Sequence, residues 1–307
     1  MILTVCANPS VDSFWKVGAI DRGTTNRSEK ESFFPGGKGI HTALALAELD
    51  RQVTTLGLWG GQTGQWLKKE CHRREIETIG PLVDEWSRIC ITMRSDTDWN
   101  ETELLGGGPT AGPDAISEFE QAYTQYLQTD EAKAILISGS VPNGFNNQFY
   151  AKMVADGKQH SVPVFVDASG ELMENTLEAR PYGIHINHKE GRELSGREDP
   201  VAITRWLHKF CTLAAVTAGA DGLYLKYEDA IYHASHALDQ DKIFSTVGAG
   251  DCLLAGLALA TLQEEDPEDW ARFATACGSA NCIHPQLGML TKDIVEEVID
   301  EVKVEKL

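Results

Sequence analysis

The chain has 307 residues, 42% apolar and 24% charged, with 46 acidic against 27 basic side chains and a formal charge of −19. That length can bury a large core as one α/β domain, and that charge argues against nucleic acid or an anionic membrane surface as partner, since both reward net positive charge. Seven scattered cysteines without a C-x-x-C read as reduced thiols of a cytoplasmic protein, and Cys277, Cys282 and His284 lack a zinc-like spacing.

The first residues are apolar over too short a run, with no basic lead, for a signal peptide or membrane span, so 2–7 is expected to be a buried strand stopped by Asn8-Pro9. Residues 13–34 mix polar and aromatic side chains with no helical period and predict strands of a small accessory sheet. Beyond Pro35-Gly36-Gly37-Lys38-Gly39, helices are expected over 40–49 and 62–74 and strands over 53–59 and 76–79. Two β-like segments, 88–94 and 101–105, joined by the turn-prone 96–100, complete the accessory sheet. From Pro113 the rhythm is regular, with helices over 114–128, 147–158 and 200–210 and strands over 134–138, 162–167, 182–187 and 213–217. Two short strands, 222–227 and 230–233, precede three closing helices: one after Asp251, then 267–283 and 291–302. Alternating strand and helix implies a mostly parallel sheet covered on both faces, with no linker to an independent second domain.

The stretch that organises the rest is Ser245-Thr246-Val247-Gly248-Ala249-Gly250-Asp251, which runs straight into the apolar segment 252–260. Glycines flanking an alanine favour a tight turn on the helix N-terminus, where unpaired amides and the dipole receive an anion or developing negative charge. Asp251 there either caps the helix or takes a proton from a substrate hydroxyl. Asp12, Ser140, Asp167, Asn187 and Gly219 each fall just after an expected strand, which would gather them on the ligand-binding rim of an open α/β sheet. Gly36-Gly37-Lys38-Gly39 offers close backbone approach and a cation, but is not a Walker A motif. Asn187 and Glu190 are spaced either for a water-mediated Mg²⁺ site or for a helix N-cap with its capping-box glutamate, and Thr217 to Gly222 is a strand ending in a glycine turn.

Taken together, Asn8-Pro9-Ser10-Val11-Asp12, Gly36 to Ile40, Ser87-Arg88, Ser138 to Pro142, Asp167 to Gly170, Asn187 to Glu190 and Thr246 to Asp251 resemble the phosphofructokinase-B (ribokinase-like) sugar kinases. The likeness is to the hexose-phosphate branch, and it runs over nearly the whole chain. It implies a three-layer α/β/α sandwich with a mostly parallel sheet and a small β-sheet lid formed by about 13–34 and 88–105. It also implies ATP and Mg²⁺ as cofactors and a phosphorylated ketohexose, of the fructose 1-phosphate or tagatose 6-phosphate type, as acceptor. Asp251 would be the base, with Gly248, Ala249 and Gly250 as the anion hole. Asp12, Gly36, Gly37, Lys38, His41 and Ser140 match acceptor-binding positions, and Arg27 and Arg88 those that hold its phosphate. Asn187, Thr217, Gly219 and Gly222 match the nucleotide side, with Glu190 and Asp167 on the metal side.

Three residues depart from the family pattern: His41 stands for an asparagine, His185 for a lysine, and Leu105 for an asparagine. Two rivals stay open, a kinase of an unphosphorylated sugar or nucleoside and a non-catalytic sugar-phosphate sensor. Phe14, Trp15, Phe33 and Phe34 on one lid segment and Ile89, Ile91 and Met93 on the other predict an apolar outer face that a second copy would cover, giving a homodimer.

Overall fold

A computed structural model describes residues 1–95, 101–129, 131–263 and 266–307. In chain order the first elements are β1 (Ile2–Cys6), β2 (Ser10–Val17), β3 (Ser28–Gly36), α1 (Lys38–Glu48), β4 (Val53–Gly57), β5 (Trp59–Gly60), α2 (Gly61–His72), β6 (Glu77–Ile79) and β7 (Leu82–Val83). There follow β8 (Arg88–Ser95), β9 (Glu101–Leu105), α3 (Pro113–Leu127), β10 (Ala134–Ser138), α4 (Phe149–Gln159), β11 (Val164–Asp167), α5 (Gly170–Leu177), β12 (Gly183–Asn187), α6 (His188–Ser195) and α7 (Pro200–Leu207). The chain closes with β13 (Leu213–Thr217), β14 (Leu223–Tyr227), β15 (Ala230–Ser235), α8 (Ala249–Leu262), α9 (Pro267–Ile283), α10 (Lys292–Val298) and β16 (Lys303–Lys306).

The main sheet runs β16-β15-β14-β13-β12-β11-β10-β1-β4-β6, parallel from β6 to β13 and antiparallel beyond. Its strands read Ile-Leu-Thr-Val-Cys or Ala-Ile-Leu-Ile-Ser, apolar on both faces, because helices cover both. One layer, with Leu44 of α1, Leu67 of α2, Leu254 of α8, Trp270 of α9 and Val295 of α10, forms one core. Phe119 of α3, Tyr150 of α4, Met173 of α5 and Ile203 of α7 fill the other. Helix α8 is apolar all round and sheathed by α1 and α9. A side chain at Gly256 would put its Cβ 2.6 Å from Cys277 Sγ, so the α8–α9 contact is backbone-close.

A second sheet, β3-β2-β8-β9, is the expected accessory one, and its first segment runs from Ser10 to Gly36 rather than over 13–34. Opposed residues share a face, and the pairs Ser13–Phe33, Ser13–Ile91 and Ile91–Leu104 define the outer one. Asp12, opposed by Phe34 and Cys90, lies on the inner face with Phe14, whose ring packs tilted against Phe244 with centroids 5.0 Å apart. Phe14 and Phe34 therefore leave the apolar outer face predicted for them, because the alternation of β2 and β3 turns them inward.

Other differences are local. Residues 53–59 form two strands, β4 and β5, separated at Leu58. Helix α5 was not expected, since its eight residues are too short for a clear period. The segment 291–302 is a helix only to Val298; after one 3-10 turn the chain becomes β16 on the antiparallel edge. The turn at 96–100 lies outside the described residues. Among the described residues no helix is long and apolar enough to cross a membrane.

Candidate functional site

Of the residues singled out by sequence, Ser140, Asp167, Asn187 and Thr217 stand at or just past the carboxyl ends of β10, β11, β12 and β13, and Asp12, Lys38, His41, Arg88 and Asp251 are linked to one another or to this end by side-chain contacts. Gly248, at φ 86, is the N-cap of α8, so Asp251 is the third helical residue and does not cap it. Its carboxylate is buried and accepts from His41 Nδ1 at 2.9 Å. The Ala249 amide, expected in an anion hole, already donates to Thr246 O at 3.2 Å. Gly250 and Asp251 are in the first helical turn, where the helix itself offers amides no acceptor, so their N–H groups are the ones placed for an anion.

His41, on α1, lies between two acids. Its Nε2 is 3.1 Å from Asp12 Oδ2, an ion-pair contact whose angle falls short of a hydrogen bond. Asp12 sits inside β2 rather than in a loop, and its Oδ1 accepts from Ser10 Oγ at 2.6 Å. Gly36 makes room for that carboxylate: a Cβ there would fall 2.0 Å from Asp12 Cγ. Burial works against charge on the His41 ring, yet the Asp12 and Asp251 carboxylates more than offset it and push its pKa up to about 10. For Asp251 burial dominates and raises the carboxyl above its ordinary range, with His41 resisting.

A second buried acid organises the other flank. Asp167, the last residue of β11, accepts from Lys38 Nζ at 2.5 Å and from His185 Nδ1 at 2.7 Å. His185 Nε2 is 3.2 Å from Thr217 Oγ1, and a Cβ on Gly250 would lie 2.9 Å from His185 Cε1, so this ring backs the glycine turn. Burial alone would raise the Asp167 carboxyl; the Lys38 and His185 charges outweigh it and hold it well below the carboxylate range. Both its oxygens accept hydrogen bonds, one from the Lys38 ammonium and one from the His185 ring, so it anchors these two side chains. Asn187 and Glu190 form a reciprocal capping box at the start of α6, Glu190 N donating to Asn187 Oδ1 at 3.0 Å and Asn187 N to Glu190 Oε2 at 2.9 Å. That geometry leaves Glu190 Oε1 for water and an ion beyond it. Gly219, at φ 59, and Gly222, at φ 100, form a tight turn after Thr217.

Arg88 opens β8, donating from Nε to Asn8 O at 3.0 Å, while Asn8 Nδ2 donates to Gly107 O at 3.1 Å and Ser140 Oγ at 3.3 Å. Asn8 is thus a hub that reading it as a strand stop overlooked. Gly37, at φ 94, is the N-cap of α1 and turns the chain from β3 into Lys38. Arg27 is exposed on the segment leading into β3, apart from the buried cluster. Arg94 of β8 reaches across to the carbonyl of Phe244, just ahead of the glycine turn. Nothing in its sequence context signals that contact.

The geometry is a row of buried carboxylates and cations around helix-terminal amides, suited to moving a proton beside a transferred anion. A model of the pfkB family carbohydrate kinases matches residues 7–291. The chain belongs to that family. It is a sugar kinase. It is 30% identical over 313 residues to the 1-phosphofructokinase of Bacillus subtilis, with both chains covered completely, and 27% identical to the tagatose-6-phosphate kinase of Staphylococcus epidermidis, with 99% of each covered. Phosphofructokinase-2 from Escherichia coli, solved in complex with substrates and products, superposes with a TM-score of 0.89 at 23% identity over 97% of this sugar kinase and 98% of that chain, a likeness of fold.

Proposed function

We propose that this sugar kinase transfers the γ-phosphoryl of Mg-ATP to a hydroxyl of a phosphorylated ketohexose of the fructose 1-phosphate or tagatose 6-phosphate type. The observation that carries the reading is the buried Asp251 carboxylate beside the free first-turn amides of α8. Phosphoryl transfer asks mainly for positioning and for charge stabilisation, and a base next to helix-terminal donors supplies both. Asp251 takes the acceptor proton, the amides of Gly250 and Asp251 hold the phosphoryl, and Asp12, Lys38, Ser140 and Arg88 hold the sugar phosphate. Asn187, Thr217, Gly219 and Gly222 face the nucleotide. Mg²⁺ keeps most of its water and needs only one or two carboxylates besides phosphate oxygens, which suits Glu190 reaching it through water; the ion neutralises phosphate charge there. The fully retained glycine turn and base weigh against a non-catalytic sensor. Chain 1–307 would act as one kinase unit, with the second sheet as its lid, in the cytoplasm.

The test is ATP consumption against fructose 1-phosphate, tagatose 6-phosphate, fructose 6-phosphate and their unphosphorylated parents. Turnover of a phosphorylated ketohexose at least tenfold above its parent is expected, and equal turnover of the parents would shift the reading to a neutral-sugar kinase. Arg88→Ala should raise KM for the sugar phosphate by about tenfold or more, a charge-assisted contact being worth ~1.5–3 kcal/mol, and barely alter KM for the parent. Equal losses on both acceptors would mean that Arg88 does not read the phosphate.

The same reading includes a homodimer through the outer face of the second sheet. Phe33, Ile89 and Leu104 are 54%, 43% and 54% exposed there, on three of the sheet's four strands, apolar surface of the kind a second copy covers. Sedimentation equilibrium should give a dimer at tens of micromolar and a monomer for Phe33→Asp/Leu104→Asp; a monomeric wild type ends the proposal.

A further inference from the structure

His41 is one of the chain's own departures from the family pattern, and the structure fits its neighbours closely to its ring. It stands on α1, between Asp12 on β2 of the second sheet and Asp251 on α8, and is 3% exposed. It is the direct side-chain link between the strand that carries Asp12 and the helix that carries Asp251. Its ring rests against Gly288, in the segment between α9 and α10, whose φ is 62. A Cβ on Gly288 would fall 1.9 Å from His41 Cδ2 and 2.2 Å from Cγ, and the three atoms nearest to it all belong to that ring. Gly288 in turn touches the glycine turn itself: its amide donates to Val247 O at 3.2 Å, and a Cβ on Gly248 would meet its Cα at 2.3 Å. Imidazole, turn and Gly288 form one close-fitted unit.

We infer that His41 is a positioning residue for Asp251, clamping Oδ2 through Nδ1–H on a seat that only glycine at 288 leaves open, and tying the base to the acceptor-holding Asp12. The inference rests on the reading of Asp251 as the base. With Oδ2 engaged by His41, Oδ1 is the oxygen left to take the acceptor's O–H proton as that oxygen bonds to phosphorus and the donor's bridging P–O bond breaks. An asparagine amide, as in the family pattern, carries both its N–H donors on one nitrogen, whereas the imidazole sets its two nitrogens on opposite sides of a ring, one toward each carboxylate. Asp12 rides on the sheet that covers the acceptor, so a shift of that sheet reaches the base through the imidazole.

The experiment compares His41→Ala, His41→Asn, Gly288→Ala and the double variant His41→Ala/Gly288→Ala, with ¹⁵N-histidine spectra of the wild type. His41→Ala should lower kcat by ~10–100-fold, the scale of a misplaced reacting group, with KM for ATP within twofold of wild type. His41→Asn should recover part of that loss. Gly288→Ala should lose at least as much as His41→Ala, since its methyl meets the ring and its φ of 62 strains any side chain, and the double variant should lose no more than Gly288→Ala, because the three atoms nearest to the methyl are then gone. In the spectra Nδ1 of His41 should carry a proton at neutral pH. Losses that multiply in the double variant, a His41→Ala kcat within twofold of wild type, or a bare Nδ1 would each overturn the inference. If His41→Ala does not fold, the same cycle run with His41→Asn decides between shared and multiplied losses. Should the wild type phosphorylate none of the sugars, the functional reading fails by itself, and the nitrogen spectra still decide where His41 holds its proton.

Discussion

Replacing Asp251 by asparagine should lower kcat by roughly 10²–10⁴, the usual worth of a positioned general base, and leave KM for ATP near its native value. The substitution keeps the volume of the side chain and an oxygen to accept from His41 Nδ1, so the buried contact at 2.9 Å survives while the basic oxygen is lost. Single-turnover measurements, which isolate the chemical step from product release, give the cleanest reading. A variant that retains near-native turnover removes Asp251 from the mechanism.

The second large effect is on stability. Asp167→Ala strips the shared partner from Lys38 and His185, and removing one member of a buried ionic cluster costs about 3–5 kcal/mol. Lys38 is 39% exposed and can turn toward water, which puts the expected cost near the lower bound. Differential scanning calorimetry checks it, and an unchanged Tm at neutral pH would contradict it. The pH dependence has a definite sign. Because Lys38 and His185 outweigh burial and depress the Asp167 pKa in the folded state, its contribution is present above the ordinary carboxylate pKa of about 4 and is lost as pH falls through the depressed value. Wild type and Asp167→Asn should therefore differ in stability at neutral pH and converge in strong acid.

Local signals carried far in this chain, and the places where they stopped share a cause. The strands β10 and β13 and the helix α9 fall on their expected residues, since each is a long apolar or periodic run bounded by breakers. The glycine turn of α8 was equally plain, because a helix N-terminus and an acid three residues later are close in sequence. What could not be read were relations across the chain. The link from His41 to Asp251 spans 210 positions, and that from Lys38 to Asp167 spans 129. The resemblance puts Asp167 on the metal side; only the fold shows Lys38 and His185 hydrogen-bonded to its two oxygens. The inward turn of Phe14 and Phe34 depends on strand register, which the alternation of residues permits in either sense until the partner strand is fixed. Gly288 gave no sign at all, since its reason for being glycine is a ring that belongs to α1.

The tight seam between α8 and α9 also limits how the lineage of this kinase can drift. Gly256 stands five positions past Asp251, away from any reacting atom, yet even one methyl group there would have to displace Cys277 or push the two helices apart. Helix α8 is buried from Asp251 to Ala260, so such a push has no solvent side on which to relax and travels along the axis to the turn. Random mutagenesis selected for growth on the sugar would therefore find an intolerant stripe, of small residues facing α9, as unforgiving as the residues that touch substrate. An enlarged side chain at Gly256 would survive only with a compensating reduction at Cys277, whose side chain it meets first, so these two positions should be inherited together.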